Sequence, residues 1–340
     1  MRSGSMATLR DVATRAGVDV STASKVLGGG NIRVAETTRR RIEAAARALD
    51  YTPNAYAQGL RLRRKGALAM AVRDTTNYVF PEIVEGAEEA AERLGTSLFL
   101  VKQPEGSHAD RLLSVIRQGR MDGWIFADEA PCDGFFDDLL TLRVPFITLN
   151  RFGSGVGPHV CLDDEAGFRV QAERIVEMGH RRVAFISIQP ESFVSRHCRH
   201  TFLKRMASLY HPLPPTHVLG GSFEGDDAER LAEAVLALRP RPTAVACGSM
   251  QAAARLIESL VARGIRVPEE IGVVGYHDPP TALTARPPLT TIRLPSRAQG
   301  RIAVERLIEI IDGKRKEFQG ETVQEAPEFV LRGSLVVPPA

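Results

Sequence analysis

Residues 8–50 read TLRDVATRAGVDVSTASKVLGGGNIRVAETTRRRIEAAARALD. The spacing predicts three helices. Thr8 is placed to cap the first, with Asp11 three residues on as its reciprocal partner. Leu9, Val12, Ala13 and Ala16 fall at i, i+3, i+4 and i+7, one face of a helix. Gly17 ends it, because glycine adopts the left-handed backbone of a tight turn at little cost. Asp19 is placed to cap a second, short helix with Ala23, Val26 and Leu27 inward and Ser21, Ser24 and Lys25 outward. Gly28, Gly29 and Gly30 break it. A third helix is expected from about Glu36 to Asp50, with Ile42, Ala45, Ala46 and Leu49 on its inner face. A helix, a glycine turn and a second helix bearing small polar residues make the helix-turn-helix plan, in which the second helix enters the DNA major groove. By spacing alone, a small helical bundle with a basic face fits as well.

Charge supports the first reading. Residues 1–66 hold 13 Lys and Arg against 5 Asp and Glu, whereas the rest of the chain holds 31 against 36. A small basic piece on an otherwise acidic chain points to an anionic polymer as partner. The whole chain has 340 residues, 44% hydrophobic and 25% charged, so two or three folding units are expected at roughly 150 residues each. That composition excludes a disordered chain, a rod and a collagen-like repeat. No apolar run is long enough to span a membrane. The start, Met1 to Arg10, has no apolar core of a secretory signal, and Met1–Ser5 reads as a leader outside the fold. Cys132, Cys161, Cys198 and Cys247 lie far apart with no CxxC pair, which fits a reducing cytosol and a cytoplasmic protein.

Pro53 closes the helical piece at residues 8–52, and 53–66 reads as a hinge or linker, too short and polar to fold alone. From Ala67 short apolar runs alternate with amphipathic stretches. Buried parallel strands are expected at 67–72, 97–101, 124–127 and 145–149, with helices at 82–94, 108–119 and 135–142. The scheme repeats from about 160, with strands at 182–187, 244–247 and 271–274 and helices at 165–179, 198–209, 226–238 and 250–263. A last helix at 297–311 and a short strand near 328–332 cross back. Such alternation means α/β architecture, parallel sheets covered on both faces. Two lobes with a cleft are expected over 67–340. The first comprises about 67–160 and 293–325, and the second about 161–292 and 326–340.

TLRDVATRAGVDVSTASKVLGG, followed by V-x-x-x-T-R-x-x-I-x-x-A-A-x-x-L-D-Y-x-P-N from Val34, resembles the LacI/GalR family of bacterial transcription regulators. The likeness is dense over residues 8–66. It continues in outline through MGHRRVAFI (178–186), VVGYHD (273–278) and PPLTTI (287–292). The resemblance implies an all-α helix-turn-helix headpiece on a two-lobed, periplasmic-binding-protein-like effector domain. It implies a homodimeric repressor that reads a near-palindromic operator under control of a small molecule. Val20, Ser21 and Lys25 match base-reading positions, and Thr22, Ser24, Arg33 and Thr38 match phosphate contacts. Leu60, with Ala57 beside it, matches the leucine that wedges into the minor groove from a hinge helix.

The implied effector site departs from the family's pattern. Cys198 stands where an arginine often precedes the aromatic, here Phe202. Cys247-Gly248 replaces an Asn-Asp pair, and His277 replaces an aspartate. Asn77, Phe80, Asp163 and Phe223 match other cleft positions. His277 also resembles gluconate-responsive members, and with Arg151, Arg196 and Arg199 it favours a sugar acid, sugar phosphate or other anion over a neutral sugar. A degenerate pocket is the alternative.

No cofactor and no catalytic residue is expected. Gly153-Ser-Gly155-Val-Gly157 lacks the glycine at 158 that a dinucleotide loop needs, and Pro158 stands there. His197, Cys198 and His200 lack a second pair at ligand spacing, so no metal site is expected. P-loop, G-x-S-x-G and HExxH motifs are missing, so the protein is not expected to be an enzyme. Asp163-Asp164 reads as a helix cap rather than an acid pair. Trp124 reads as a core strand residue. The ending, LVVPPA, carries no heptads, so no tetramerising coiled coil is expected. The competing classes are a solute-binding protein and an α/β enzyme on the same two-lobed fold.

Overall fold

The computed structural model describes residues 7–27, 33–51, 65–73, 79–103, 109–127, 134–149, 157–188, 193–221, 227–315 and 318–338. The chain divides into two compact units. One comprises residues 1–67 with 120–122, and the other 68–119 with 123–340.

In the smaller unit, α1 (Leu9–Ala16), α2 (Val20–Leu27) and α3 (Glu36–Ala48) pack together. The Thr8 hydroxyl accepts from the Asp11 N–H, and the Asp11 carboxylate accepts from the Thr8 N–H at 2.8 Å, so the capping box is complete. The Asp19 carboxylate accepts from the Ser21 N–H at 2.7 Å and starts α2. Gly17 adopts φ +62° between them. Val12, Ala13, Ala16, Ala23, Val26, Ile42, Ala45 and Ala46 form the core. These small side chains let three short helices approach closely, which no one of them could do alone in water. The third helix ends two residues before Asp50, where the backbone turns left-handed at φ +48°, a conformation aspartate tolerates.

The larger unit contains two six-stranded sheets. The first has the order β11-β5-β4-β3-β1-β2, built from β1 (Ala67–Val72), β2 (Ser97–Lys102), β3 (Gly123–Phe126), β4 (Phe146–Leu149), β5 (His159–Cys161) and β11 (Gly320–Thr322). The second has the order β12-β10-β9-β8-β6-β7, built from β6 (Val183–Ile188), β7 (Val218–Gly221), β8 (Ala244–Cys247), β9 (Gly272–Tyr276), β10 (Thr290–Arg293) and β12 (Glu328–Val330). Reversed, both read as the same doubly wound plan, with the strand order switching direction between β1 and β3 and between β6 and β8. The pairings whose register is defined are parallel, except the antiparallel pair of β10 with β12.

Helices connect these strands: α4 (Phe80–Arg93), α5 (Ala109–Arg117) and α6 (Phe135–Thr141) in the first lobe, then α7 (Asp164–Glu177), α8 (Phe193–Ser208), α9 (Asp227–Ala237) and α10 (Met250–Ala262) in the second. The last helix, α11 (Ser296–Ile311), returns to the first lobe and packs along α4, β3, β4 and β5. Glycines permit that crossing. A Cβ on Gly86 would collide with the Arg297 carbonyl, and one on Gly300 with the Ile83 carbonyl. Arg297 closes the same crossing with ion pairs to Glu85 and Glu89. Trp124 is a buried strand residue, stacked near Phe126 and the Phe135–Phe136–Phe146 ring cluster.

The structure corrects several expectations. β2 is not a buried strand but an exposed sheet edge, with Phe99 49% and Leu100 52% exposed. Its apolar composition is that of an interior strand; only the strand order tells its place. β5, β7, β10 and β11 escaped sequence reading. β5 and β11 have three residues each, β7 carries two glycines, and β10 is threonine-rich. Yet Thr290 and Thr291 are fully buried, because the Thr290 hydroxyl accepts from the Arg332 N–H and the Thr291 hydroxyl donates to Asp278 at 2.6 Å. α8 starts at Phe193, five residues earlier than expected, since its first turn has no apolar periodicity to announce it.

Candidate functional site

Two places concentrate exposed or buried chemistry: the outer side of α2 and a cavity in the second lobe. On α2, Val20 is 38% exposed, Ser21 and Lys25 are exposed, and Thr22 and Ser24 are half-buried, while Ala23 and Val26 anchor the helix. The Asp19 cap fixes the first turn, so Val20 and Ser21 stand at its start, where a recognition helix meets base edges. Arg33 is exposed just before α3, and Thr38 is half-buried in its first turn. Ala57 and Leu60 lie outside the described residues.

The cavity measures about 120 Å³ and is lined by Asp164, Phe168, Phe185, Ser187, Val194, Ser195, Cys198, Gly248, Tyr276 and His277. Its position follows from topology. Ser187 is next to last in β6, Gly248 follows β8, Tyr276 ends β9 and His277 follows it. The cavity therefore opens at the carboxyl ends of the strands, beside the β6/β8 switch point where open α/β sheets take their ligands.

Its floor is aromatic. Tyr276 stacks on Phe168 with ring centres 3.9 Å apart. The Tyr276 hydroxyl donates to Asp164 Oδ1 at 2.9 Å. Gly167 makes room for that hydroxyl, since a Cβ there would overlap it. Asp164 opens α7 and is buried; its burial pushes the carboxyl up to about 6, against the pull of the Tyr276 hydrogen bond. His277 holds a left-handed backbone at φ +70°. Burial pushes its imidazole down to about 4, so at pH 7 it is neutral. Burial also raises the thiols of Cys198 and Cys247, which keeps them protonated and unreactive.

Of the effector-site residues expected from sequence, Cys198, Gly248 and His277 come together in this cavity. Phe80 lies in the first-lobe core instead. Asp163 caps α7, accepting from the Ala166 N–H at 2.8 Å. Arg196 is exposed, Arg199 is half-buried, and neither lines the cavity. Asn77, Arg151 and Phe223 lie outside the described residues. An anion site built on His277 with these arginines is thus not what the described wall offers: it carries no Lys or Arg, and His277 is neutral. Sequence reasoning missed Asp164, Phe168, Ser187, Ser195 and Tyr276. The signal for Asp164 was the second acid of the Asp163-Asp164 pair, one more than a cap needs.

His277 is followed by Asp278, whose carboxylate accepts from Arg332 at 2.6 and 2.9 Å and from Arg293 at 2.8 Å. These cations hold the Asp278 carboxyl below its usual range against the opposing effect of burial. The left-handed His277 is thereby pinned between a stacked tyrosine and a buried ion cluster. Among the described residues there is no group of three or more His, Cys, Asp or Glu able to hold a metal, and no helix long and apolar enough to cross a membrane.

Residues 8–54 match the model of bacterial regulatory proteins of the lacI family, and residues 172–335 match a periplasmic binding protein-like domain. The chain is 32% identical over 337 residues to an HTH-type transcriptional repressor PurR from Photobacterium profundum, covering 97% of this chain and 99% of that protein. It is 30% identical, with the same coverage, to a PurR from Vibrio parahaemolyticus. Among solved structures, the transcriptional regulator CelR in complex with cellobiose superposes with a TM-score of 0.73 at 26% identity, covering 96% of this chain and 99% of that one. The lac repressor dimer bound to operator and an anti-inducer gives 0.78 at 24% identity, covering 98% and 100%, and shows the shared fold.

Proposed function

The chain belongs to the lacI family of bacterial regulatory proteins, and from that membership we propose that α2 reads an operator as a sequence-specific transcriptional repressor whose grip is set by a small molecule in the second-lobe cavity. One observation carries the DNA half: α2 presents Val20, Ser21 and Lys25 outward from a capped, glycine-turned helix pair. In this reading those three meet base edges, and Thr22, Ser24, Arg33 and Thr38 hold phosphates. Ala57 and Leu60 would wedge the minor groove at the centre of a near-palindromic site, which kinks it. A near-palindrome needs two headpieces, and the exposed apolar edge at Phe99 and Leu100 supports self-association as a homodimer. No chemical step is assigned to the cavity, and the protein acts in the cytoplasm, where its DNA is.

The effector acts through its differential affinity. It moves operator binding only as far as it prefers one arrangement of the lobes over the other. A sugar acid or other anion, the class suggested by the arginines, depends in this reading on Arg151, since the described wall has no cation.

The test is selection of bound sequences from random duplex DNA, followed by titration of the recovered site. Lys25→Ala is expected to weaken binding about 5- to 150-fold, the cost of about 1–3 kcal/mol for one base contact. Binding should also fall steeply with salt. Recovery of no common sequence, or full affinity in Lys25→Ala, discards the assignment.

A further inference from the structure

We propose that the second-lobe cavity receives the amine-bearing end of its ligand, with the Asp164 carboxylate and the Ser187 hydroxyl accepting from the ammonium group. This rests on the cavity being the effector site. It goes further by assigning the ligand's charge.

The observations are independent of one another. Asp164 is 7% exposed and lines the cavity, with Oδ1 fixed by the Tyr276 hydroxyl. Ser187 is 2% exposed and lines the same space, and its hydroxyl has no hydrogen-bond partner among the described residues. An orphaned hydroxyl beside a buried carboxyl is a pair of acceptors awaiting donors, because leaving such groups unmet is costly. Three aromatic rings, Phe168, Phe185 and Tyr276, also line the cavity. Ring faces attract cations, and this attraction grows when the site is desolvated.

Among the described residues no Lys or Arg on the cavity wall faces Asp164. Asp163, next to it, adds like charge, and His197 on α8 pulls the other way. His197 also sits 3.0 Å from Glu165, a second acid. Cys198 and Tyr276 are protonated, His277 is neutral at pH 7, and no Lys or Arg lines the cavity among the described residues. A ligand ammonium would supply a counter-charge, and a ligand carboxylate or phosphate would meet a buried carboxylate with no screening cation among the described residues. Ammonium binding requires Asp164 ionised. Its carboxyl titrates near 6, so binding should strengthen as pH rises from 5 to 7.

The experiment is calorimetric titration of the full chain with a matched trio: glucosamine, glucose and gluconate, plus ethanolamine as the smallest amine. Operator binding is measured in parallel. The expected result is that glucosamine or ethanolamine binds at pH 7 at least tenfold tighter than glucose or gluconate, and that affinity drops at least tenfold at pH 5. Asp164→Asn, which keeps an acceptor for Tyr276, should remove the preference for the amine, and Ser187→Ala should weaken it several-fold. Glucose or gluconate binding as tightly as glucosamine, amine affinity unchanged in Asp164→Asn, or no amine binding would each overturn the proposal. If glucose or gluconate binds and shifts operator affinity, the regulator reading stands and only the amine assignment falls. If the protein binds no operator, the reading itself fails.

Discussion

Burial pushes the Asp164 carboxyl from 3.8 up to about 6 and the His277 imidazole from 6.5 down to about 4, and the two line one cavity. The folded protein prefers Asp164 protonated. That preference adds stability fully below the unfolded value and is lost as pH rises towards 6. The folded protein also prefers His277 neutral, which adds stability fully above 6.5 and is lost as pH falls towards 4. Each shift corresponds to roughly 3 kcal/mol at about 1.4 kcal/mol per unit, with opposite sign. Between about pH 4 and 6 they offset, so these two groups leave wild-type stability nearly flat there. Asp164→Asn should unmask a rise in stability with pH, and His277→Asn, which suits the positive φ, should unmask a fall. Urea midpoints at pH 4.5 and 6.5 read both slopes; parallel behaviour of the two variants would refute the assignment. Legibility at this scale was uneven. Cys198, Gly248 and His277 were readable because the resemblance marks their positions as cleft positions. Ser187 was not, because a serine near the end of an apolar strand looks like any solvated end until the sheet is assembled around it.

At the scale of the element, the crossing of α4 and α11 is set by two glycines. Alanine in a helix interior is ordinarily favoured over glycine by about 1 kcal/mol. At Gly300 the added methyl would meet the backbone of Ile83 and Ala87, which cannot rotate away. Gly300→Ala is therefore expected to destabilise the larger unit by about 1–3 kcal/mol, the usual range for an overfilled core, or more. A raised melting temperature would show that the helices part without cost. The elements themselves were largely visible in the sequence. β1, β3, β4, β8, α6 and α10 fall within a residue or two of their periodicity, since each is a clean apolar run or a clean amphipathic face. β5 and β11 were invisible for the opposite reason: three residues carry no period, and their pairing comes from the neighbour rather than from their own composition. β2 shows a different limit. Its side chains report that something covers them, but not that the cover is missing from the sheet to which they belong.

Across the whole molecule, that uncovered edge is the strongest sign of assembly. Phe99 and Leu100 are half exposed on the outermost strand of the first sheet, with Leu94 exposed just before them. Replacing both with aspartate should leave the fold intact, because neither side chain is in the core. It should halve the mass seen by sedimentation and weaken binding to a two-half-site operator far more than to a single half-site. An unchanged mass would place self-association elsewhere. The chain passes from one sheet to the other three times, so neither lobe is continuous: the first sheet receives β11 at residues 320–322, and the helix that covers β3, β4 and β5 begins only at Ser296. A ribosome delivers residues in sequence. The three helices of the headpiece are complete within the first fifty residues, but the first lobe must wait with Val160 and its neighbours uncovered until nearly the whole polypeptide has emerged. During synthesis, the part that grips DNA is finished long before the part that would hold the signal.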